Sequence, residues 1–266
     1  MGSMKRFLSL CAVFPMLFLF SSVAGAASTA VPEVFHGPIN ILGVEHNNVS
    51  STNWSGYAVE SPTQFTEVTS TWVEPTASCT TTGHTYAAFW VGLDGYNSKS
   101  VEQLGTDSDC TNRNAPSYYV WYEMYPAASV SISTTQFLVK PGDTLAATVT
   151  RTGTSYTLSM TSSEGWTFST TQTGTDANSS AEWIAEAPSI CFLGVFCSNA
   201  HLSNFGTVNF SGAQASTGGA LQPVSSFTTN SGPHDITMTT SGGVTRALPS
   251  ALSTNGEGFS DTWHHN

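Results

Sequence analysis

The residues of this chain best suited to chemistry are carboxylates set among aromatic rings. "SAEWIAEAPS", residues 180–189, carries Glu182 and Glu186 four apart. On a helix they would be neighbours on one face. Ser- and Thr-rich flanks, Pro188 and the lack of a cap or helical apolar stripe predict a strand instead. There Glu182, Ile184 and Glu186 share one face, and Trp183 and Ala185 the other. Neighbouring segments sort the same way. In "AAFWVGLDG", Phe89, Val91 and Leu93 read as core, while Trp90, Gly92 and Asp94 face away. "WYEMYP" groups Trp121, Glu123 and Tyr125, and "VEQLGTD" groups Val101, Gln103 and Gly105. One sheet face thus displays Trp90, Asp94, Gln103, Trp121, Glu123, Tyr125, Glu182 and Glu186. Rings and carboxylates on a concave sheet describe a groove that grips a polymer. Taken alone, the pattern leaves the function at a secreted β-sandwich with a groove.

The elements that must hold this face are strands. From Asn53 onward, short β-branched and aromatic segments alternate with turn residues. "SVSISTTQFLV", "DTLAATVTRTG", "TSYTLSMTSSEG" and "WTFSTTQTG" read as a meander, and "TVNFSGA", "VSSFTT" and "HDITMTT" as later strands. Nothing of helical length keeps a 3.6-residue period. The expected fold is all-β, an antiparallel β-sandwich of the jelly-roll or concanavalin-like kind, with two packed sheets and a concave substrate groove. Residues 51–266 make a single domain. Residues 27–50 lack a period and read as a propeptide or extended arm.

Residues 1–26 read as a secretory leader, with Lys5 and Arg6, an apolar run and a small-residue "AGA" site. No later stretch has the length to span a bilayer. Losing the leader removes two of the seven Lys and Arg and no acid, taking the formal charge from −11 to −13. Five cations against eighteen carboxylates disfavour nucleic acid and anionic membranes as partners. They also predict a fold stable in acid that weakens toward neutral pH through like-charge repulsion. Cys79, Cys110, Cys191 and Cys197 stay in the secreted chain, an even number that implies two disulfides. The tight loop "CFLGVFC" favours Cys191 with Cys197, which leaves Cys79 with Cys110. The spacings do not fit a zinc site.

Five segments in order, "NWSGY", "FWVGLDG", "VEQLGTD", "WYEMYP" and "AEWIAE", resemble the glutamic peptidases, or eqolisins, over roughly residues 53–210. The resemblance implies a two-sheet sandwich, a catalytic Gln at Gln103 and a catalytic Glu at Glu186. Glu182 matches a neighbouring family Glu. Trp90, Asp94, Asp107, Trp121, Glu123 and Tyr125 fall on groove positions that would bind substrate. Leu104 and Ala187–Pro188 depart from the family pattern.

The implied protein is a secreted, acid-active endopeptidase. It would work as a monomer on protein or peptide substrates, without metal or cofactor, and would be insensitive to pepstatin. Glu186 as carboxylate takes a proton from water and returns it to the leaving amine, while the Gln103 amide donates to the oxyanion. There is no Gly-x-Ser-x-Gly elbow and no His-Glu-x-x-His motif. The rival is a jelly-roll glycoside hydrolase or carbohydrate-binding module, with Glu123 and Glu186 as its acid pair; it gives Gln103 no essential role. A third reading is an adhesion domain without catalysis.

Overall fold

The computed structural model describes Met1 and residues 33–79, 83–111, 115–192 and 196–266. The leader at 1–26 and the first part of the arm lie outside the described residues, Met1 apart. From Glu33 the described residues form one compact unit.

The strands follow in chain order. The arm supplies β1 (Glu33–Phe35), β2 (Ile41–Glu45) and β3 (Asn48–Ser51). Then come β4 (Trp54–Glu60), β5 (Glu67–Val73), β6 (Ala88–Leu93), β7 (Val101–Asp109), β8 (Ser117–Tyr125) and β9 (Val130–Ser131). The meander is β10 (Thr144–Thr152), β11 (Ser155–Ser162) and β12 (Thr167–Thr173). After it run β13 (Ser180–Glu186), β14 (Ser189–Phe192), β15 (Phe196–Asn199), β16 (Thr207–Ser216) and β17 (Gln222–Pro223). The last are β18 (His234–Thr239), β19 (Thr245–Pro249) and β20 (Phe259–Trp263). Two expected strands differ. "SVSISTTQFLV" pairs only at Val130–Ser131, then turns as Phe137 N donates to Ser133 O. "VSSFTT" is a 3-10 turn at Val224–Ser226. Pro223 precedes it and has no N–H to carry a ladder onward.

Pairing traces two layers. One runs β9–β8–β7–β6–β13–β4–β18 and is extended by β3 and β2. The other runs β20–β16–β5–β10–β11–β12. The β18–β19 pair and the β19–β20 pair join them at one edge. This is the sandwich expected. Its core lies between the inner faces, where Phe89, Val91, Leu104 and Trp183 meet Val68, Trp72, Leu145 and Leu158. Each such side chain contributes about 1.5–3 kcal/mol when fully buried. Trp183 crosses the gap, and its indole N–H donates to Thr69 O at 2.9 Å. Cys79–Cys110 and Cys191–Cys197 are the two disulfides, as the spacing predicted. The second staples the β14–β15 hairpin, which with β1 makes a separate small sheet.

Candidate active site

The outer face of the first layer carries the site, and strand register sets its layout. Glu182, Gly92, Gln103 and Glu123 lie opposite one another across β13, β6, β7 and β8. The next outward row is Ile184, Trp90, Gly105 and Trp121, and the one beyond it Glu186, Ala88, Asp107 and Tyr119. Glycine beside Trp90 is a packing requirement. A Cβ on Gly92 would fall 2.9 Å from Trp90 Cζ3, and one on Gly105 2.5 Å from Trp90 Cβ. With both missing, the indole stays on the face and donates its N–H to Glu186 Oε2 at 2.8 Å. Glu186 Oε1 and Gln103 Oε1 are buried and have no protein partner.

The face is covered rather than open. The arm crosses it, leaving Gln103 0 % and Glu186 1 % exposed. His36 lies at the centre. Its carbonyl accepts a hydrogen bond from Gln103 Nε2. Its backbone N–H donates to Glu123 Oε2 at 2.8 Å, and its imidazole stacks on Trp121 with centroids 3.4 Å apart. The ring nitrogens lie 3.1 Å from Glu123 Oε2 and 3.3 Å from Asp107 Oδ1.

Burial governs the protonation of the cluster. It pushes Glu186 well above the usual carboxylate range, with the charges of Glu123 and Asp107 acting the same way and the Trp90 hydrogen bond opposing. Burial also raises Glu182 well above that range, and Asp107 to about 7. It lowers His36 against the pull of Glu123. The Tyr119 hydroxyl lies 2.6 Å from Asp107 Oδ2 and 2.9 Å from Asp109 Oδ2. A phenol has one proton to give, so one of these carboxyls must carry its own. A neutral His36 donates from one ring nitrogen and accepts at the other, so it can bridge Glu123 and Asp107 in either tautomer when the accepting nitrogen faces a protonated carboxyl.

Most of the residues picked from sequence meet on this face: Trp90, Gln103, Asp107, Trp121, Glu123, Glu182 and Glu186. Tyr125 stands half-buried at the rim, opposite Val101. Asp94 does not join them. It sits at φ 68 just past β6, and its carboxylate accepts from Asn178 N at 2.5 Å and from Ser179 N at 2.9 Å. Its work is to fasten the turn into β13, because alternation stops meaning anything once the strand has ended. Sequence reading missed His36, Tyr119, Asp109 and Trp54, whose ring packs edge-on against Trp90 with centroids 4.9 Å apart. Tyr119 shares the face parity of Trp121 and Glu123 and was within reach of the same alternation.

Residues 52–248 match the family described as the Peptidase A4 family. Aspergillopepsin-2 of Aspergillus niger is 28% identical over 220 residues, covering 72% of this chain and 71% of that protein. Scytalido-glutamic peptidase, solved with a transition state analog inhibitor, superposes with a TM-score of 0.67 at 22% identity, over 80% of this chain and 98% of that one. SCP-B, an eqolisin solved with the tripeptide Ala-Ile-His, gives 0.64 at 21% over the same shares.

Proposed function

The chain belongs to the Peptidase A4 family, whose members hydrolyse peptide bonds, and on that premise we propose a glutamic endopeptidase acting through Glu186 and Gln103. The observation that carries the reading is a peptide carbonyl, that of His36, resting on the Gln103 amide on the face that holds Glu186. An extended backbone therefore fits this groove, and the amide donates where a peptide oxygen lies.

Trp90 fixes one oxygen of Glu186 and leaves the other for the attacking water. Glu186 as carboxylate takes the water's proton. Gln103 Nε2 stabilises charge growing on the carbonyl oxygen, and Gln103 Oε1 helps hold the water. The carboxylic acid then returns the proton to the leaving nitrogen. No metal or cofactor is needed, and both groups come from one chain, so a monomer suffices. Activity lies in acid. Water entering the groove removes the burial that raises Glu186, so its carboxylate forms in the acid range. Two disulfides suit secretion into an oxidising medium. A carbohydrate groove would leave Gln103 without a task.

The test is hydrolysis of a denatured protein between roughly pH 2 and 5, around the carboxyl range. Glu186→Gln should lower turnover about 10²–10⁴-fold. Pepstatin should not inhibit, and β-glucans should not be cut. Pepstatin inhibition at stoichiometric dose, or hydrolysis of glucan in place of protein, would reject the reading.

A further inference from the structure

Arg246, on β19, carries a charge that the fold leaves without a counter-charge. It is 6 % exposed, and none of the ion pairs among the described residues includes it. Two neutral carbonyls hold its side chain: Nη1 donates to Thr52 O at 3.2 Å and Nη2 to Ala200 O at 2.8 Å. A guanidinium has five N–H groups, so three remain beyond these two. Burying a charge without an opposite partner is costly, and burial pulls Arg246 below the usual guanidinium range. The side chain lines a cleft of about 340 Å³ to which no Asp or Glu contributes and in which Ala200 is the one apolar residue. Thr239 and Ser241 add hydroxyls to the lining. His201, exposed and with Nδ1 3.1 Å from Asn266 Oδ1, adds a second positive charge when protonated. In a chain with eighteen acids, a cleft lined by Arg and His and by no acid selects for negative charge.

We propose that this cleft binds a small carboxylate, gripped by the Arg246 guanidinium. The planar fork presents parallel N–H groups that match the two oxygens of a carboxylate. The hydroxyls of Thr239 and Ser241 supply further donors. A free organic acid of few carbons and the α-carboxylate at the end of a peptide offer the same group, and the cleft has too little apolar lining to favour a long alkyl chain. The ligand supplies the missing counter-charge and fixes the Arg246 side chain, and with it the carbonyls of Thr52 and Ala200. The neighbours of these two residues hold the chain just past β13. Ala187 N donates to Asn53 O at 2.8 Å, and Ala200 N to Pro188 O at 2.7 Å. The bound carboxylate therefore ties β19 more firmly to that end of β13, and its effect is read as stability.

The melting temperature of the full chain is followed at about pH 5.5, where a simple carboxylic acid is ionised. Acetate replaces chloride at constant ionic strength. Acetyl-diglycine probes the carboxylate of a peptide, and its amide is the uncharged control. The expected result is a rise of roughly 3–5 °C for each tenfold increase of carboxylate above its dissociation constant. Acetate alone, acetyl-diglycine alone or both giving this rise supports the site and says which source it takes. Calorimetric titration should count one site per chain. Arg246→Lys keeps the charge and loses the fork, and should bind at least about 10-fold more weakly. Ser241 is exposed, so Ser241→Glu should fold, place a carboxylate in the cleft and remove most of the response; it decides the matter if Arg246→Lys does not fold. A rise with chloride or with the amide equal to that with the carboxylates overturns the inference. So does an undiminished response in either folded variant, or no response to either carboxylate.

Discussion

Strands β12 and β13 are each seven residues of alternating character, and they meet different surroundings. On β12, Phe168, Thr170 and Gln172 turn inward, while Thr167, Ser169, Thr171 and Thr173 are exposed to water. On β13, Ala181, Trp183 and Ala185 enter the core, yet Glu182, Ile184 and Glu186 on the opposite face are equally buried. Water satisfies any hydroxyl on β12 at no cost. The β13 carboxyls are removed from water with few partners: one for the two oxygens of Glu186 and none for those of Glu182. Burying a polar group without a partner costs free energy. The meander is therefore arranged for stability, and the β13 face carries a cost that the proposed catalysis would explain.

That contrast is open to attack at several places. Gln103→Ala should lower turnover about 10²–10³-fold, the usual loss of one oxyanion donor, with the fold intact. The crosslinks come next. Removing Cys79–Cys110, whose ends are 31 residues apart, should cost about 4 kcal/mol of stability by loop entropy, and removing Cys191–Cys197, six residues apart, about 2 kcal/mol. Urea unfolding of the paired Ser variants measures both, and the reverse order would contradict the entropic account.

The pH dependence of melting separates burial from repulsion. Burial raises Glu74 and Asp107 to about 7, Asp261 to about 8 and Glu102 to about 10. A carboxyl raised in the folded state binds more protons folded than unfolded. Its contribution is complete below the unfolded value near 4 and is lost as pH rises through the folded one. The melting temperature should therefore fall between roughly pH 4 and 8, by about 10 °C if a few kcal/mol are lost. Sequence composition assigned such a fall to like-charge repulsion. In the structure burial leads for each of these groups, so added salt should restore little. A melting temperature that climbs to pH 7 would sink the idea, and full recovery in salt would reinstate repulsion. The smallest effect belongs to β12. Ser169→Ala on its exposed face should leave turnover unchanged and stability within about 0.5 kcal/mol.

The two regions were not equally legible in the sequence. Alternation marked the faces of β6, β8 and β13 because a strand's period of two survives whatever packs on it. It placed Trp90 and Glu123 correctly and gave three of the four meander segments their strands. It failed at Asp94, one residue beyond a strand. Residues 27–50 carry no period because β1, β2 and β3 are only three to five residues long, and β1 and β3 pair with distant strands. His36 reaches Gln103, 67 residues away, and Glu123, 87 away, and no local pattern encodes such contacts. Gln103 and Glu186 stood out through five ordered motifs, since alternation alone left them as two polar residues on a face. Alternation also could not foresee that the face would be covered.

The central claim is that Glu186 and Gln103 work as one unit. Turnover of a denatured protein in acid should be measured for wild type, Glu186→Gln, Gln103→Ala and the double variant, each confirmed as folded by its melting transition. Each single change should lower turnover about 10²-fold or more, and the double variant should be no slower than the slower single, since groups acting together lose their function together. A folded single variant with near wild-type turnover, or a double variant slowed by the product of the two single losses, would contradict the account.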